Sequence, residues 1–407
     1  MKIMPKILML SQVYWPDPVA TAEYLFDLSQ NLSQKGGKIE VWTGKFPYEN
    51  PDFSYLAEEN YGQIFIRRLW STHFSKRSFL GRSINFLTFN FSVLARLLAQ
   101  GWKWDVYFTL SSPPFLIFFS VLVGFLYRKK VYFWNLDLQP DLAINSGLLH
   151  PSSLQAQFFR FLTRVSLALS SRIFVLDRFM ADFLKKNYSC QKPIFVSALW
   201  PLSLNHYEGE FYQNPFRLKM GFEKRLVVMY AGNHALVHPM NTLLEAILQL
   251  KKEKQFLFVF VGSGLRKKEV TDFKTKNQLE NIWQLPFLPR EEVHLSLASA
   301  DLQVVLMGEK MVGLTHPQKI YGAMNSGAAI LYIGPRPSHG SEILALSPMN
   351  LSVQQGEASL LVEKLKHFAA LPLEQRRKIG EKNQEVIQNF FPPQKLKDDL
   401  TNEILRP

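Results

Sequence analysis

The 407-residue chain has one cysteine, Cys190. That excludes an intramolecular disulfide framework and any multi-cysteine zinc site, and it fits a reducing compartment. No apolar run is long enough to span a bilayer, which takes about 20 residues. The most hydrophobic run, Phe115 to Tyr127, lies between Pro113-Pro114 and Arg128-Lys129-Lys130 and reads as a buried helix between two strands. The apolar N-terminal stretch is short for a signal-peptide core and reads as a first buried strand. GxGxxG is missing after that strand, and no Walker P-loop, GxSxG or HExxH occurs. These absences weigh against a dinucleotide oxidoreductase, a P-loop nucleotidase, a serine hydrolase and a zincin, and no metal ligand set is expected. With no zinc-finger spacing, helix-turn-helix or RNP-type strand, nucleic acid is not an expected partner. Acids, too, are missing over a long stretch: none lies between Glu59 and Asp105.

What is present is positive charge and phenylalanine. The net charge is +13, from 47 Lys/Arg against 34 Asp/Glu. Residues 1–200 hold 22 basic and 13 acidic residues, a balance of +9, and residues 201–407 hold 25 and 21, a balance of +4. A basic first half suits an anionic lipid surface or phosphorylated ligands, or serves solubility alone. From Phe79 to Leu98, Phe79, Ile84, Leu87, Phe91, Leu94 and Leu98 recur at roughly helical intervals, with Arg82 and Arg96 between them and Lys76-Arg77 before them. Such a helix would lie on an anionic membrane surface or pack on its own sheet.

Short β-branched or aromatic runs alternate with helical patterns along the whole chain. The expected strands are Ile7–Ser11, Ile39–Thr43, Ile64–Leu69, Val106–Leu110, Val131–Asn135 and Ile173–Leu176 in the first half. In the second half they are Leu226–Ala231, Phe256–Val261, Ile282–Leu285, Leu302–Leu306 and Ala329–Ile333. Alternation of this kind predicts parallel sheets with crossover helices. It occurs twice, interrupted by the Pro- and Asn-containing stretch at 199–216. The expectation is an α/β protein of two Rossmann-like domains, 1–198 and 217–380, facing a central cleft.

Ligands of parallel sheets gather beyond the carboxyl ends of the strands. After the first strand, Ala20-Thr21-Ala22 opens a helix whose free amides would face a ligand, or forms an ordinary turn. After the Val131 strand, Asp137 would orient a hydroxyl or take its proton, or cap the next helix. The second half opens with Gly232-Asn233 and His238, where backbone can approach a ligand closely and the side chains can hydrogen-bond phosphate or sugar. Gly262-Ser263-Gly264 makes a second glycine turn. His316-Pro317-Gln318-Lys319 precedes a buried strand and would open a helix near Pro317, where the Lys319 charge and the helix N-terminus suit a diphosphate.

At these residues the sequence resembles the GT-B glycosyltransferases of family four, which are retaining and use sugar nucleotides. The N-terminal VYWPDPVATAEYLFDLSQNLSQKGGKIEVWTG is similar to that family's opening turn, first helix and second strand. WDVYFTLSSPPFL and FWNLDLQPDLAINSGLL resemble the acceptor domain of a subgroup that assembles cell-surface polysaccharides. YAGNHALVHPMNTLLEAI, FVFVGSGLRKKEV, LPFLPREEVHLSLASADLQVVL and HPQKIYGAMNSGAAIL follow the donor domain in order. The family's two donor-site glutamates, eight positions apart, would fall on Leu314 and Gly322; the second usually binds the donor ribose. Its Arg and Lys phosphate clamp would fall on Asn233 and His238, and its acceptor-domain Gly-Gly on Ala20-Thr21.

The resemblance implies a hexosyltransferase-type enzyme that moves a sugar from a nucleotide-diphosphate sugar to a saccharide or lipid-linked acceptor, without a metal or other cofactor. It implies a cytoplasmic protein peripheral to the inner face of the membrane, and a final helix within 381–405 that crosses back to the first domain. Gly232, Asn233, His238, Gly262, His316, Pro317, Gln318 and Lys319 would bind the donor. Ala20, Thr21 and Asp137 would bind the acceptor, with Asp137 and Lys319 catalytic. Two other readings stay open: a silent protein that binds a nucleotide sugar or scaffolds a membrane assembly, and another enzyme of the same fold, such as an epimerase.

Overall fold

The computed structural model describes residues 4–47, 53–74, 79–202 and 207–406. Lys76 and Arg77 lie outside them. The chain divides into two compact units. The first comprises residues 1–198, 313–315 and 394–407; the second comprises 199–312 and 316–393.

The first unit opens with β1 (Lys6–Leu10), α1 (Ala20–Gln34), β2 (Lys38–Gly44), β3 (Glu58–Tyr61) and β4 (Ile64–Leu69). Next come α2 (Phe79–Gln100), β5 (Val106–Leu110), α3 (Leu116–Leu126) and β6 (Lys130–Asn135). It continues with α4 (Asp141–Asn145), α5 (Leu154–Leu169), β7 (Arg172–Val175), α6 (Arg178–Tyr188) and β8 (Ile194–Val196). The strands form one sheet in the order β3-β4-β2-β1-β5-β6-β7-β8, parallel throughout except for the β3–β4 hairpin. Crossovers between parallel neighbours are right-handed, so helices cover both faces and the central strands carry apolar side chains on both sides. β5 is accordingly buried along its whole length. Side-chain caps set two helix starts: Ser153 accepts from the Ala156 amide at α5, and Asp177 from the Met180 amide at α6.

The second unit holds α7 (Pro215–Lys219), β9 (Leu226–Ala231), α8 (Asn241–Gln249), β10 (Phe256–Val261), α9 (Lys267–Asn277) and β11 (Ile282–Leu285). They are followed by α10 (Arg290–Ala298), β12 (Leu302–Leu306), α11 (Lys319–Asn325), β13 (Ala329–Ile333) and α12 (His339–Ala345). β14 (Leu351–Val353), α13 (Ala358–Ala370) and α14 (Leu373–Phe390) complete it. Its sheet is fully parallel in the order β11-β10-β9-β12-β13-β14. α15 (Pro393–Leu405) lies against α1 of the first unit, where Asn31 donates to Thr401 and Asp398 and Lys35 pairs with Asp398 at 2.7 Å.

This α/β architecture of two mostly parallel sheets is the one expected, with three additional strands, β3, β8 and β14. The expected burial of Phe115–Tyr127 holds for only one side. α3 buries Leu116, Ile117 and Val121, while Leu122, Phe125 and Leu126 are exposed. The helix packs on one face of the sheet and against α2 and α5 at its flanks, so only its outward side, with these three residues, is left bare. Among the described residues, no helix is long and apolar enough to cross a membrane.

Candidate functional site

In the second sheet the strand order turns outward in both directions from the β9–β12 pair, the switch point at which a parallel sheet leaves room for a ligand. The loop after β9 begins at Gly232, which has φ +118°, and the loop after β10 begins at Gly262, with φ +116°. The two backbones are close: a Cβ on Gly262 would stand 2.2 Å from the Gly232 carbonyl oxygen. Gly264 is equally confined, because a Cβ there would meet Asn233 Oδ1 at 2.5 Å and the His234 backbone at 2.6 Å. Gly262 and Gly264 are thus required by the crossing of the two loops, and Gly232 by its positive φ.

Lys319, the first residue of α11, reaches into this crossing. Its ammonium stands 3.7 Å from the centroid of the Tyr230 ring and 3.7 Å from where a Cβ on Gly232 would be. Nζ is shielded from solvent and has no hydrogen-bond partner among the described residues. Burial lowers its pKa from the ordinary lysine value to about 7. An ammonium held only by an aromatic face is poised for an anion, since leaving it unpaired costs free energy that a phosphate oxygen would recover.

The surrounding side chains are neutral or already engaged. Tyr230 donates its hydroxyl proton to the Asn233 carbonyl at 2.8 Å. His238 Nδ1, 2.9 Å from the Tyr230 oxygen, therefore carries the proton of that contact. Burial first, and then the Lys319 charge, hold the His238 pKa well below the usual histidine value. The same two causes bring His234 to about 4. Lys267 donates to the Gly262 and Leu285 carbonyls at 2.6 and 2.9 Å, tying the second loop to β11. Arg266 pairs with Glu269 at 2.7 Å. His238 thus offers an acceptor rather than a charge, and among the described residues of these loops Lys319 is left as a buried cation whose ammonium has no hydrogen-bond partner, whereas Lys267 is satisfied by carbonyls.

α11 begins at Lys319, two residues after Pro317, with Gln318 as its N-cap. The amide of Gln318 bonds to the His316 carbonyl and that of Ile320 to the Pro317 carbonyl, at 2.8 and 3.0 Å. Two of the amides of this turn are thus bonded within the turn itself. His316 is buried, with Nε2 2.8 Å from the Tyr321 hydroxyl, which is in turn 3.1 Å from His339 Nε2.

In the first unit, Ala20 and Thr21 start α1, whose first internal bonds run from the Ala22 and Glu23 amides to the Val19 carbonyl. Asp137 does not cap α4, whose N-cap is Pro140 without a side-chain bond. Its amide donates to Ser111 Oγ at 3.2 Å, and its Oδ1 accepts from the Thr315 hydroxyl at 2.6 Å. Leu314 is fully buried, its carbonyl accepting from the Leu138 amide at 2.8 Å. Gly322 is the opposite case: a Cβ added there has no atom within 4 Å. Gly322→Glu is therefore expected to be accommodated and to raise stability by about 0.5–1 kcal/mol, because glycine weakens a helix interior. A lower melting temperature for that variant would show that the space is not free.

Sequence reasoning missed Tyr230. Within LVVMYA it looks like one more core residue, and nothing local marks the face it turns to Lys319.

No protein-family model matches the chain, and no curated protein matches it in sequence. Solved structures do match in fold. Sucrose-phosphate synthase from Thermosynechococcus elongatus superposes with a TM-score of 0.75 at 15% identity, over 98% of each chain. WaaG, a glycosyltransferase involved in lipopolysaccharide biosynthesis, gives 0.73 at 13%, over 98% of this chain and all of that one. Anabaena HepE in complex with UDP-glucose gives 0.68 at 14%, over 98% and 99%. The chain has the fold of the GT-B glycosyltransferases.

Proposed function

We propose that the chain is a glycosyltransferase that moves a sugar from a nucleotide-diphosphate sugar to a saccharide or lipid-linked acceptor in cell-surface glycan synthesis, with retention at the anomeric carbon. The observation that carries this reading is the unpartnered Lys319 ammonium at the crossing of the Gly232 and Gly262 loops. When the sugar–phosphate bond breaks, negative charge collects on the leaving diphosphate, and a preorganised cation aimed there lowers the barrier. Lys319 supplies that charge, and the glycine turns allow backbone to approach the phosphates. Asp137 orients the acceptor hydroxyl or accepts its proton. In this reading the ammonium stands where a divalent cation would otherwise neutralise the diphosphate, and transfer proceeds in a chelator.

The fold of WaaG and HepE supports this reading, as does the family resemblance of the loops around Lys319. The test is thermal stabilisation by a panel of nucleotide sugars, followed by release of nucleoside diphosphate from whichever one binds. At a hundredfold excess over its dissociation constant the right donor stabilises by about 2.7 kcal/mol. Slow hydrolysis without acceptor supports a transferase. Binding without any turnover supports a silent nucleotide-sugar protein, which the loss of the donor-site carboxylate at the sealed Leu314 position would favour. No shift with any donor sinks both.

A further inference from the structure

We infer that the outward faces of α2, α3 and α5 together form a docking surface for an anionic lipid bilayer. The three helices lie side by side, with α3 packed against both neighbours. Aromatic rings bridge the seams, Phe91 to Phe119 at 6.0 Å and Phe115 to Phe159 at 4.5 Å. On α2 the side turned from the sheet presents Leu80, Ile84, Leu87, Phe91 and Leu98, at spacings of four, three, four and seven. α3 adds Leu122, Phe125 and Leu126, and α5 adds Leu154, Phe158 and Phe161. The exposure is large: Leu80 is 71%, Phe125 75% and Leu154 84% accessible. A continuous face of this kind, spread over three helices, exceeds the scattered apolar residues of an ordinary surface.

Charge selects the occupant. α2, α3 and α5 contain no Asp or Glu. Their charged residues are arginines: Arg82 and Arg96 on α2, Arg160 and Arg164 on α5; of these, Arg160 is paired with the buried Asp141 at 2.9 Å and Arg96 packs over the buried Trp42 ring, so the cations that face outward are chiefly those at the rim. The C-terminal ends of α2 and α3 meet, the Tyr127 hydroxyl donating to the Leu98 carbonyl. Around that junction stand Lys103, Arg128, Lys129 and Lys130, beside exposed Trp102 and Phe125. Cations and a tryptophan at the rim of an acid-free apolar face match headgroup phosphates above acyl chains. A protein partner or a second copy would need neither the missing acids nor the basic rim. α3 is 11 residues long, too short to span a bilayer, so the face lies along the surface instead of inserting through it. This inference rests on the first unit alone and stands apart from the donor site.

The experiment is flotation of the full chain with vesicles of equal parts phosphatidylglycerol and phosphatidylcholine, against phosphatidylcholine alone, with Leu80→Glu, Phe125→Glu and Leu154→Glu singly and combined. The wild type is expected to float with the anionic vesicles at low salt and less with the neutral ones. Each substitution is expected to weaken partitioning about tenfold, with the combined variant lost from the lipid fraction. Replacing Arg128, Lys129 and Lys130 by Gln is expected to remove most of the salt dependence. Melting temperature and donor-induced stabilisation are expected to stay at wild-type values, which separates this result from any failure of the donor reading. Absence of flotation at low salt overturns the inference, as does flotation indifferent to the glutamates. A lipid-free dimer that the same substitutions dissociate overturns it too, and assigns the face to a second copy.

Discussion

Lys319→Met is expected to make the unliganded protein more stable and unable to hold a diphosphate. Both results follow from one geometry: a buried ammonium with only the Tyr230 ring against it. Replacing a buried charge that lacks a counterion with an apolar side chain of similar length is expected to stabilise by about 1–3 kcal/mol. The pH dependence has a definite sign. The folded pKa is lowered to about 7, whereas an unfolded lysine titrates near 10.4. Between these values the unfolded chain binds more protons, so wild-type stability rises with pH. The advantage of the methionine variant is therefore full below pH 7 and disappears by about pH 10.

Binding runs the other way. A diphosphate restores the Lys319 proton, so donor affinity is expected to fall about tenfold per pH unit above 7, until the higher pKa of the complex is reached. Calorimetry in buffers of different ionisation enthalpy would read the proton taken up. His234, at about 4, and His238, held well below its usual value, stay neutral in that range. Burial also lowers the Lys267 pKa, so the methionine variant, with its slope gone, is the control that assigns the effect. A variant less stable than the wild type at pH 6, or one that still binds donor with the same slope, would remove Lys319 from the role given to it.

Much of this arrangement was legible in the sequence, and the exceptions have physical causes. Gly232, Gly262 and Lys319 stood out because a turn after a buried strand and a charge at a helix start carry local signals. Tyr230 had none, since the partner of a strand residue is set by which loop crosses above it. The strands missed were short or at edges: β3 is the polar EENY on the rim of its sheet, and β8 and β14 have three residues each. Periodicity found most of the outward stripe of α2, Ile84, Leu87, Phe91 and Leu98, where Arg82, Ser83 and Asn85 interrupt the apolar positions, but it did not find Leu80, and Leu94 is only partly exposed. It could not find that of α3, because LIFFSVLVGFL is apolar all round and only the neighbours decide which side stays bare. The two missing glutamates look alike in sequence but not in structure. Position 322 has room for a carboxylate, whereas Leu314 occupies a fully buried site.

The largest expected loss of stability lies away from these loops, at Asp301. From the turn before β12 its carboxylate accepts from Arg376 at 2.7 Å and from the Val227 amide at 2.9 Å, and stands 3.5 Å from Arg217. Arg217 is itself almost wholly buried, donates to the Ser299 and Glu223 carbonyls at 2.7 and 3.0 Å, and packs over the Phe211 ring. Asp301→Ala leaves buried guanidinium charge without a counterion and a strand amide without an acceptor. A loss of about 3–5 kcal/mol is expected, read as a lower urea midpoint. The consequence reaches the site because Val227 belongs to β9, the strand that carries Tyr230 and leads into the Gly232 loop. Fraying at the start of β9 would loosen the ring against which Lys319 is held, so donor binding is expected to weaken in this variant although Asp301 does not touch the loops. Asp301→Ala combined with Arg217→Met and Arg376→Met removes the buried charges together and is expected to recover part of the stability. A single-variant loss below about 1 kcal/mol would mean that water takes over the carboxylate's bonds and that the cluster does not anchor β9.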